Sequence, residues 1–243
     1  MKTNILHNFF SSISVFFISA LIFSCSSYDS TFDFATVKAQ CGSEVTLSND
    51  GPYIIAEPSS GNSTTGMIFY PGGLVSYQSY LPLMIKCAKN GISCYIIQMP
   101  DDFAILNMNA AYRVQKRYPQ ISNWYIAGHS LGGAMAASYV ASHQNDFAGL
   151  ILLAAYSTSD ISESNLKVLS VYGSQDGVLN MANYEKYRSN LPSKGNGFTE
   201  LIIQGGNHGQ FADYGEQKGD GQASISRETQ QSLTADAIRD LIF

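Results

Sequence analysis

Residues 128–132 (GHSLG) have the types and spacing that a nucleophilic serine requires. An apolar run, 124–127, precedes them, and a stretch that favours a helix, 133–140, follows. A strand, a sharp turn and a helix in this order expose the Ser130 hydroxyl at the tip of the turn. The residues two before and two after the serine nearly touch, so both must be small, and both are glycine. The pattern predicts covalent acyl transfer through Ser130.

A serine nucleophile needs a base, and elimination among the four histidines leaves one candidate. His7 lies in the N-terminal apolar segment, and His143 falls at the end of the helix after the serine. His129 adjoins the serine, so its side chain is expected to point elsewhere. His208 lies in the glycine-rich loop 205–209, after the last predicted strand, and is predicted to be the base.

The acid that orients the base is expected between the serine and the histidine in the chain. Asp176 follows the predicted strand 168–172. Strand ends on one edge of a parallel sheet converge, which would bring Ser130, Asp176 and His208 together as a triad. The rival acids lie in other connections or follow the histidine. They are Asp146, Asp160, Glu163, Asp213 and Glu216.

An oxyanion hole needs two backbone N–H groups aimed at the developing charge. Leu131, directly after the serine, supplies one at the start of its helix, where the N–H groups are free. The loop 71–74 follows the predicted strand 67–70, and its glycines allow a close backbone approach. We predict Gly73 as the second donor, with Leu74 as the neighbouring alternative; the other interpretation of this loop is an ordinary glycine turn.

The 243 residues are 45% hydrophobic and 14% charged, which is typical of a folded globular protein. The length beyond the first 24 residues fits one domain with a substantial core. A net charge of −5 without a long basic run argues against nucleic acid as a partner.

The N-terminus has the pattern of an export signal. Lys2 precedes a mainly apolar segment, 9–23, which is shorter than the ~20 residues that a membrane-spanning helix needs. The sequence Ile-Phe-Ser-Cys ending at Cys25 resembles the lipobox of bacterial lipoprotein signals. This resemblance implies a signal peptide over 1–24, lipidation of Cys25 and a membrane anchor in the bacterial cell envelope. A tether over 25–42 and one domain over 43–243 would follow; the alternative is an ordinary cleaved signal.

The other cysteines are Cys41, Cys87 and Cys94, an odd number that defines no disulfide framework. Cys87 and Cys94 are expected to be buried free thiols, with a bridge between them as the alternative. No spacing of cysteine or histidine suggests a metal site, and the predicted chemistry needs no cofactor.

Short apolar strands alternate with helical patterns from residue 67 to the C-terminus. This alternation predicts a mostly parallel sheet with helices on both faces, and the pair 45–47 and 53–56 predicts a hairpin that adds an antiparallel edge. Asp102 is expected to cap a helix that ends near Tyr118, with Asp101 beside it. The alternative is that these two carboxyl groups lie at the rim of the site.

The order serine, aspartate, histidine together with residues 128–132 resembles the α/β-hydrolase superfamily. Segments 70–75 (YPGGLV), 128–135 (GHSLGGAM) and 206–215 are similar to a small bacterial branch, the fold-5 or dienelactone-hydrolase-like group. The resemblance covers residues 45–243. It implies an α/β-hydrolase fold and a serine hydrolase, carboxylesterase-like, that acts on a small-molecule acyl substrate.

Many members of the superfamily carry a cap domain between the strands that here end near Ala154 and begin near Lys167. About a dozen residues separate these two points, so no cap domain is expected and the site should be a shallow cleft. The alternative function is a catalytically silent surface lipoprotein that uses the fold as a binding module.

Overall fold

The computed structural model describes residues 27–61, 63–193 and 197–243. An eight-stranded sheet forms the centre, with the strand order β1-β2-β4-β3-β5-β6-β7-β8. The pairs β1–β2 and β2–β4 are antiparallel, and every later pair is parallel. The strands are β1 (Val45–Asp50), β2 (Tyr53–Pro58), β3 (Thr65–Tyr70), β4 (Ser93–Ile97), β5 (Asn123–His129), β6 (Gly149–Leu153), β7 (Lys167–Gly173) and β8 (Phe198–Ile203).

Every residue of the central strands β3, β4 and β6 is buried. Strands that are apolar on both faces need cover on both faces, which is the role of crossover helices in a parallel sheet. The helices are α1 (Phe34–Gln40), α2 (Leu81–Lys89), α3 (Ala110–Arg117), α4 (Leu131–Ala141), α5 (Met181–Tyr187) and α6 (Arg227–Ile242). The predicted fold class is therefore confirmed.

Two hydrophobic clusters lie on opposite faces of the sheet, because successive side chains of a strand point to opposite sides. Met67 and Phe69 of β3 pack with the cluster that includes α2 and α6. Ile68 of the same strand packs with the other cluster, which includes α3 and α4. The helices hold the carboxyl ends of the parallel strands at one edge, and the loops that carry the predicted site leave from that edge.

The connection between β6 and β7, residues 154–166, contains no helix or strand. The structure therefore places no additional domain at this point, in agreement with the expected uncapped fold. Cys87 and Cys94 are buried and not joined by a disulfide. Burial and the neighbouring Cys87 thiol raise the pKa of Cys94 well above its ordinary value.

The expectation for Asp102 is wrong. Pro100–Asp102 forms a short 3-10 turn, and α3 begins only at Ala110, after Asn109. Asp101 and Asp102 have φ angles of 50° and 54°, in the left-handed region that excludes them from an extended helix cap. The carbonyl of Asp102 instead accepts a hydrogen bond from the Leu74 N–H at 3.0 Å.

Residues 27–42, the described part of the predicted tether, contact the domain. Tyr28 forms an isolated parallel bridge with Val75, and the Thr31 N–H donates to the Asp213 carbonyl at 3.0 Å. The short helix α1 follows, with the Asp33 side chain accepting from the Thr36 N–H at its start. The predicted signal and Cys25 lie outside the described residues. Within the described ranges, no helix is long and apolar enough to cross a bilayer.

Candidate active site

Ser130 lies at a strained turn between β5 and α4. Its φ of 52° and ψ of −122° form a combination that a non-glycine residue adopts only when its surroundings enforce it. The Ser130 N–H donates to the Leu153 carbonyl at 2.9 Å, so the pairing of β5 with β6 continues up to the turn. The serine is half-buried. The fixed backbone therefore holds a partly exposed serine at the carboxyl edge of the sheet.

The two glycines around the serine leave no room for a side chain. A Cβ on Gly128 would lie 2.5 Å from the carbonyl carbon of Gly132. A Cβ on Gly132 would lie 2.2 Å from the carbonyl oxygens of both Tyr70 and Pro71. These distances are far below contact, so the close crossing of β5, α4 and the end of β3 requires glycine at both positions. The crossing predicted from the spacing is present.

Asp176 and His208 form a buried, hydrogen-bonded pair. Nδ1 of His208 lies 2.9 Å from Oδ2 and 3.1 Å from Oδ1 of Asp176, and both side chains are 1% exposed. The Asp176 Oδ1 also accepts from the N–H groups of Val178 and Leu179, at 2.9 and 2.8 Å. A carboxylate that accepts from Nδ1 fixes the imidazole with its proton on Nδ1 and its lone pair on Nε2.

Opposing effects act on the Asp176 carboxyl. Burial raises its pKa, but the hydrogen bond and the charge of His208, with the two backbone amides, outweigh burial and leave the pKa below its ordinary value. The carboxyl is therefore ionised at neutral pH, and it can stabilise a positive charge on His208.

His208 Nε2 is buried and makes no hydrogen bond with any described residue. It lies beside the turn at Ser130. The centroid of the His208 ring is 4.6 Å from that of His129, the residue before Ser130. The structure thus brings Asp176 and His208 into contact and places them next to the turn, but it forms no hydrogen bond between His208 and Ser130. The free Nε2 is the nitrogen that a base would use.

The backbone N–H groups after β3 differ in whether they already have a hydrogen-bond partner. Gly72 donates to the Tyr80 hydroxyl at 2.9 Å, and Leu74 donates to Asp102. The Gly73 N–H has no partner among the described residues, and neither has that of Leu131 at the first turn of α4. A Cβ on Gly73 would lie 2.9 Å from Leu131 Cδ2, so the two residues are adjacent. This arrangement favours Gly73 over Leu74.

Two of the rival acids, Asp213 and Asp160, have partners away from His208. Asp213 pairs with Arg227 at 3.0 Å, and Asp160 accepts from the Ser162 N–H at 3.0 Å. Both ring nitrogens of His129 are hydrogen-bonded, at 2.8 Å to Tyr80 and 3.1 Å to the His208 carbonyl. His129 therefore has no free nitrogen with which to act as a base.

Sequence reasoning missed Asp220. Its Oδ1 accepts from the N–H groups of Gly177 and His208, both at 3.1 Å, and from that of Gly221 at 2.8 Å. Its Oδ2 accepts from the Gly209 N–H at 2.8 Å. One carboxylate thus joins the turn after Asp176 to the loop of His208. The sequence around it, Gly-Asp-Gly, indicates only a turn.

Gln230 was also missed. It lies in α6 with no exposed surface. Its Oε1 accepts from the Asn207 N–H at 3.0 Å, and its Nε2 donates to the Asn207 carbonyl at 2.8 Å. A fully buried amide with both ends satisfied fixes the backbone directly before His208. A polar residue at a buried helix position would have been the only signal in the sequence.

The described ranges contain no group of three or more His, Cys, Asp or Glu side chains arranged to hold a metal ion. The polar groups that converge near Ser130 are hydrogen-bond donors and acceptors of the chain itself.

An eight-stranded, mostly parallel sheet with helices on both faces and a strained strand–serine–helix turn defines the class of α/β hydrolases. The profile of the alpha/beta hydrolase family matches residues 66–232, which is more than half of the chain. The chain therefore belongs to the alpha/beta hydrolase family. No protein with a curated description is similar to it in sequence.

Solved structures share the fold at low sequence identity. A "predicted CIB-like hydrolase" from Thermoplasma acidophilum is 16% identical with a TM-score of 0.58, over 81% of this chain and 99% of that one. TT1662 from Thermus thermophilus is 12% identical with a TM-score of 0.60, over 82% and 98%. Est1E from Butyrivibrio proteoclasticus, solved with ferulic acid bound, is 13% identical with a TM-score of 0.57, over 81% and 94%.

Proposed function

We propose that the protein is a serine hydrolase that cleaves a carboxylic ester or a related acyl bond. The observation that carries the proposal is the buried hydrogen bond between His208 Nδ1 and the Asp176 carboxylate, beside the strained turn at Ser130. A carboxylate that holds an imidazole next to an accessible serine is the arrangement that activates a hydroxyl for attack. Membership of the alpha/beta hydrolase family supports hydrolysis as the reaction class.

In the proposed reaction, Ser130 Oγ attacks the acyl carbon while His208 Nε2 takes the hydroxyl proton. The oxyanion of the tetrahedral intermediate accepts hydrogen bonds from the N–H groups of Leu131 and Gly73. His208 then gives its proton to the leaving alcohol, and an acyl-enzyme forms. Water attacks the acyl-enzyme with His208 again as the base, which releases the carboxylic acid and restores Ser130.

Asp176 acts through His208. It keeps the imidazole in the Nδ1–H tautomer and stabilises the imidazolium that forms in each half of the reaction. The hydrogen bond from Ser130 to Nε2 would form when substrate binds, since catalytic hydrogen bonds of unliganded enzymes are often long and tighten in the Michaelis complex. The unpartnered Nε2 supports this step, because a buried lone pair without a donor is unfavourable until a donor arrives.

A fluorophosphonate probe tests the nucleophile. The protein should be labelled, and Ser130→Ala should abolish labelling while circular dichroism stays unchanged. Ser162→Ala, at another half-buried serine, is the matched control and should be labelled like the original protein. Undiminished labelling of Ser130→Ala would assign another serine. No labelling of the original protein would favour the alternative of a silent binding module.

The absence of a cap at 154–166 bears on the substrate. We propose a short or polar acyl group, because a shallow cleft buries few methylenes and each contributes only about 0.8 kcal/mol. The Est1E structure contains ferulic acid, so a feruloyl ester belongs in the substrate panel beside simple alkanoates. Hydrolysis of no ester in such a panel, despite labelling at Ser130, would point to another acyl bond.

We also propose that the protein is exported and anchored to the membrane of a bacterial cell envelope through lipid on Cys25. The support is the apolar segment 9–23 followed by Ser24 and Cys25. Firm anchoring would need the multiply acylated cysteine of lipoproteins, since one acyl chain binds membranes only marginally.

A further inference from the structure

We propose that Tyr80 and His129 are positioning residues that connect the loop of His208 to the loop 71–74, which carries the proposed donor Gly73 and is called the oxyanion loop below. The inference rests on the proposed function, because it assigns these residues a part in holding the groups that would act on the substrate. Neither residue is among the three of the triad. Tyr80 immediately precedes α2, and His129 is the last residue of β5.

Three hydrogen bonds join the two loops in a continuous chain. The Gly72 N–H lies 2.9 Å from the Tyr80 oxygen, the Tyr80 hydroxyl lies 2.8 Å from His129 Nδ1, and His129 Nε2 lies 3.1 Å from the His208 carbonyl oxygen. This chain of hydrogen bonds therefore begins at Gly72, one residue before the proposed oxyanion donor Gly73. It ends at the backbone carbonyl of His208, the proposed base.

The proton positions in this chain are determined by its ends. The His208 carbonyl can only accept, so Nε2 of His129 carries a proton. A neutral imidazole then has a lone pair on Nδ1, so the Tyr80 hydroxyl donates to it. The Tyr80 oxygen in turn accepts from the Gly72 N–H. Each group has the partner it needs, and only one tautomer of His129 satisfies all three bonds.

Burial keeps both side chains neutral. Burial, together with the neighbouring His208, lowers the pKa of His129 well below its ordinary value, although its hydrogen bond to the His208 carbonyl opposes this. Burial also raises the pKa of Tyr80, which the Gly72 N–H only partly offsets. His129 therefore stays uncharged when His208 becomes an imidazolium, and no like charge develops beside the base.

The packing allows little movement. Tyr80 and His129 have no exposed surface, and the His129 ring lies between the rings of Tyr80 and His208, with centroids 5.8 and 4.6 Å away. A Cβ on Gly72 would be 2.9 Å from both the Tyr80 hydroxyl oxygen and His129 Nδ1. The oxyanion loop thus lies directly on the pair, and its position depends on their hydrogen bonds.

Positioning of this kind predicts a loss in the chemical step rather than in binding. In hydrolysis of p-nitrophenyl acetate, Tyr80→Phe and His129→Phe should each lower kcat about 10- to 100-fold, with KM within about threefold, because only the transition state uses the oxyanion donors. The double variant should be no slower than the slower single variant, because both break the same chain. His129→Gln, which keeps a donor and an acceptor, should recover part of the loss.

Tyr95→Phe is the matched control, since Tyr95 is also fully buried but belongs to the hydrophobic cluster on the other face of the sheet. It should leave kcat unchanged. Three results would overturn the proposal. They are a fold-loss of kcat in the double variant equal to the product of the two single losses, a higher KM at constant kcat, and a loss of kcat in Tyr95→Phe as large as that in Tyr80→Phe. Thermal unfolding of each variant identifies those that fail to fold, and His129→Gln then carries the kinetic comparison.

Nitrogen-15 NMR of histidine-labelled protein supplies a readout that does not depend on activity. His129 should appear as the neutral Nε2–H tautomer at neutral pH and through the range in which an ordinary histidine takes up a proton, and Tyr80→Phe should shift its Nδ1 resonance. An Nδ1–H tautomer, or no shift in Tyr80→Phe, would overturn the hydrogen-bond chain. A protein that is not labelled at Ser130 and hydrolyses no ester would refute the proposed function, while this spectrum would still decide whether the hydrogen-bond chain exists.

Discussion

The Asp220 carboxylate binds the main chain of His208: its Oδ1 accepts a hydrogen bond from the backbone N–H of His208 at 3.1 Å. The same oxygen accepts from the Gly177 N–H, one residue after Asp176. Asp220 therefore supports the 2.9 Å contact between the side chains of Asp176 and His208. It does so by binding backbone N–H groups, not either of these side chains. A carboxylate that accepts hydrogen bonds from several backbone N–H groups orders both the loop after Asp176 and the loop of His208. Each N–H group would otherwise need its own partner.

Asp220→Ala should destabilise the protein and lower its rate of ester hydrolysis. Loss of the acceptor leaves several backbone N–H groups without a partner, and each buried unsatisfied group costs about 1–3 kcal/mol. We expect a drop of that order in the free energy of unfolding, measured with urea, and at least about a tenfold drop in kcat/KM, because displaced catalytic groups lose much of their effect. Asp236→Ala, at a carboxylate whose side chain is 54% exposed, is the control. Equal behaviour of the two variants would contradict the role of Asp220.

The Asp176 carboxyl predicts a stability change in acid. Its pKa in the folded protein lies below the ordinary value of 3.8, so the unfolded chain takes up a proton before the folded one does. The ionised Asp176 carboxylate therefore contributes its full stabilisation of the fold at pH values above the ordinary pKa. That contribution is lost as the pH falls through the lower pKa of the folded protein.

Urea unfolding at a series of acidic pH values tests this prediction. The original protein should lose stability more steeply below about pH 4 than Asp176→Asn, which cannot take up the proton. Parallel pH dependences of the two proteins would show that the Asp176 pKa is not lowered by folding.

The uncapped site predicts a preference for short acyl chains. Across p-nitrophenyl esters from acetate to palmitate, kcat/KM should be highest for the short esters and at least about tenfold lower for palmitate, because a cleft without a cap is expected to bury few methylenes, at about 0.8 kcal/mol each. A steady rise toward the long chains would mean that the loop 209–223 closes over the cleft and forms an apolar pocket.

Lipidation of Cys25 predicts partition into detergent. The full chain, expressed in a bacterium, should enter the detergent phase, and Cys25→Ser should release it into the aqueous phase, because the acyl chains supply the apolar surface. Cys41→Ser is the matched control. Mass spectrometry of a mature chain that begins at another residue, without a lipid adduct, would refute the anchor.

The fold could be predicted from the sequence because its signals are local. The apolar strands 67–70 and 124–127 and the helical spacing around residue 84 appear in short windows, and the structure contains an element at each. The turn at Ser130 was equally local, since the need for Gly128 and Gly132 arises within five residues. Asp102 was misassigned for the opposite reason: its left-handed backbone is set by contact with the distant loop at Leu74.

The supporting residues could not be predicted, because they have hydrogen-bond partners that lie far away in sequence. Tyr80 is 49 residues from His129, and Gln230 is 23 residues from Asn207. A tyrosine before a helix and a glutamine within one are ordinary in composition. Only the folded chain shows that their polar atoms meet the loops of Gly72 and His208.

The bridge between Tyr28 and Val75 determines where the protein can be cut for production. Tyr28 donates to the Leu74 carbonyl at 2.7 Å and accepts from the Ser76 N–H at 2.9 Å, on both sides of the bridge. A recombinant chain trimmed to begin at β1, or at residue 66 where the family profile begins, would lose this pairing and leave the loop after β3 with unsatisfied backbone groups. A chain for crystallisation or assay should therefore begin ahead of Tyr28.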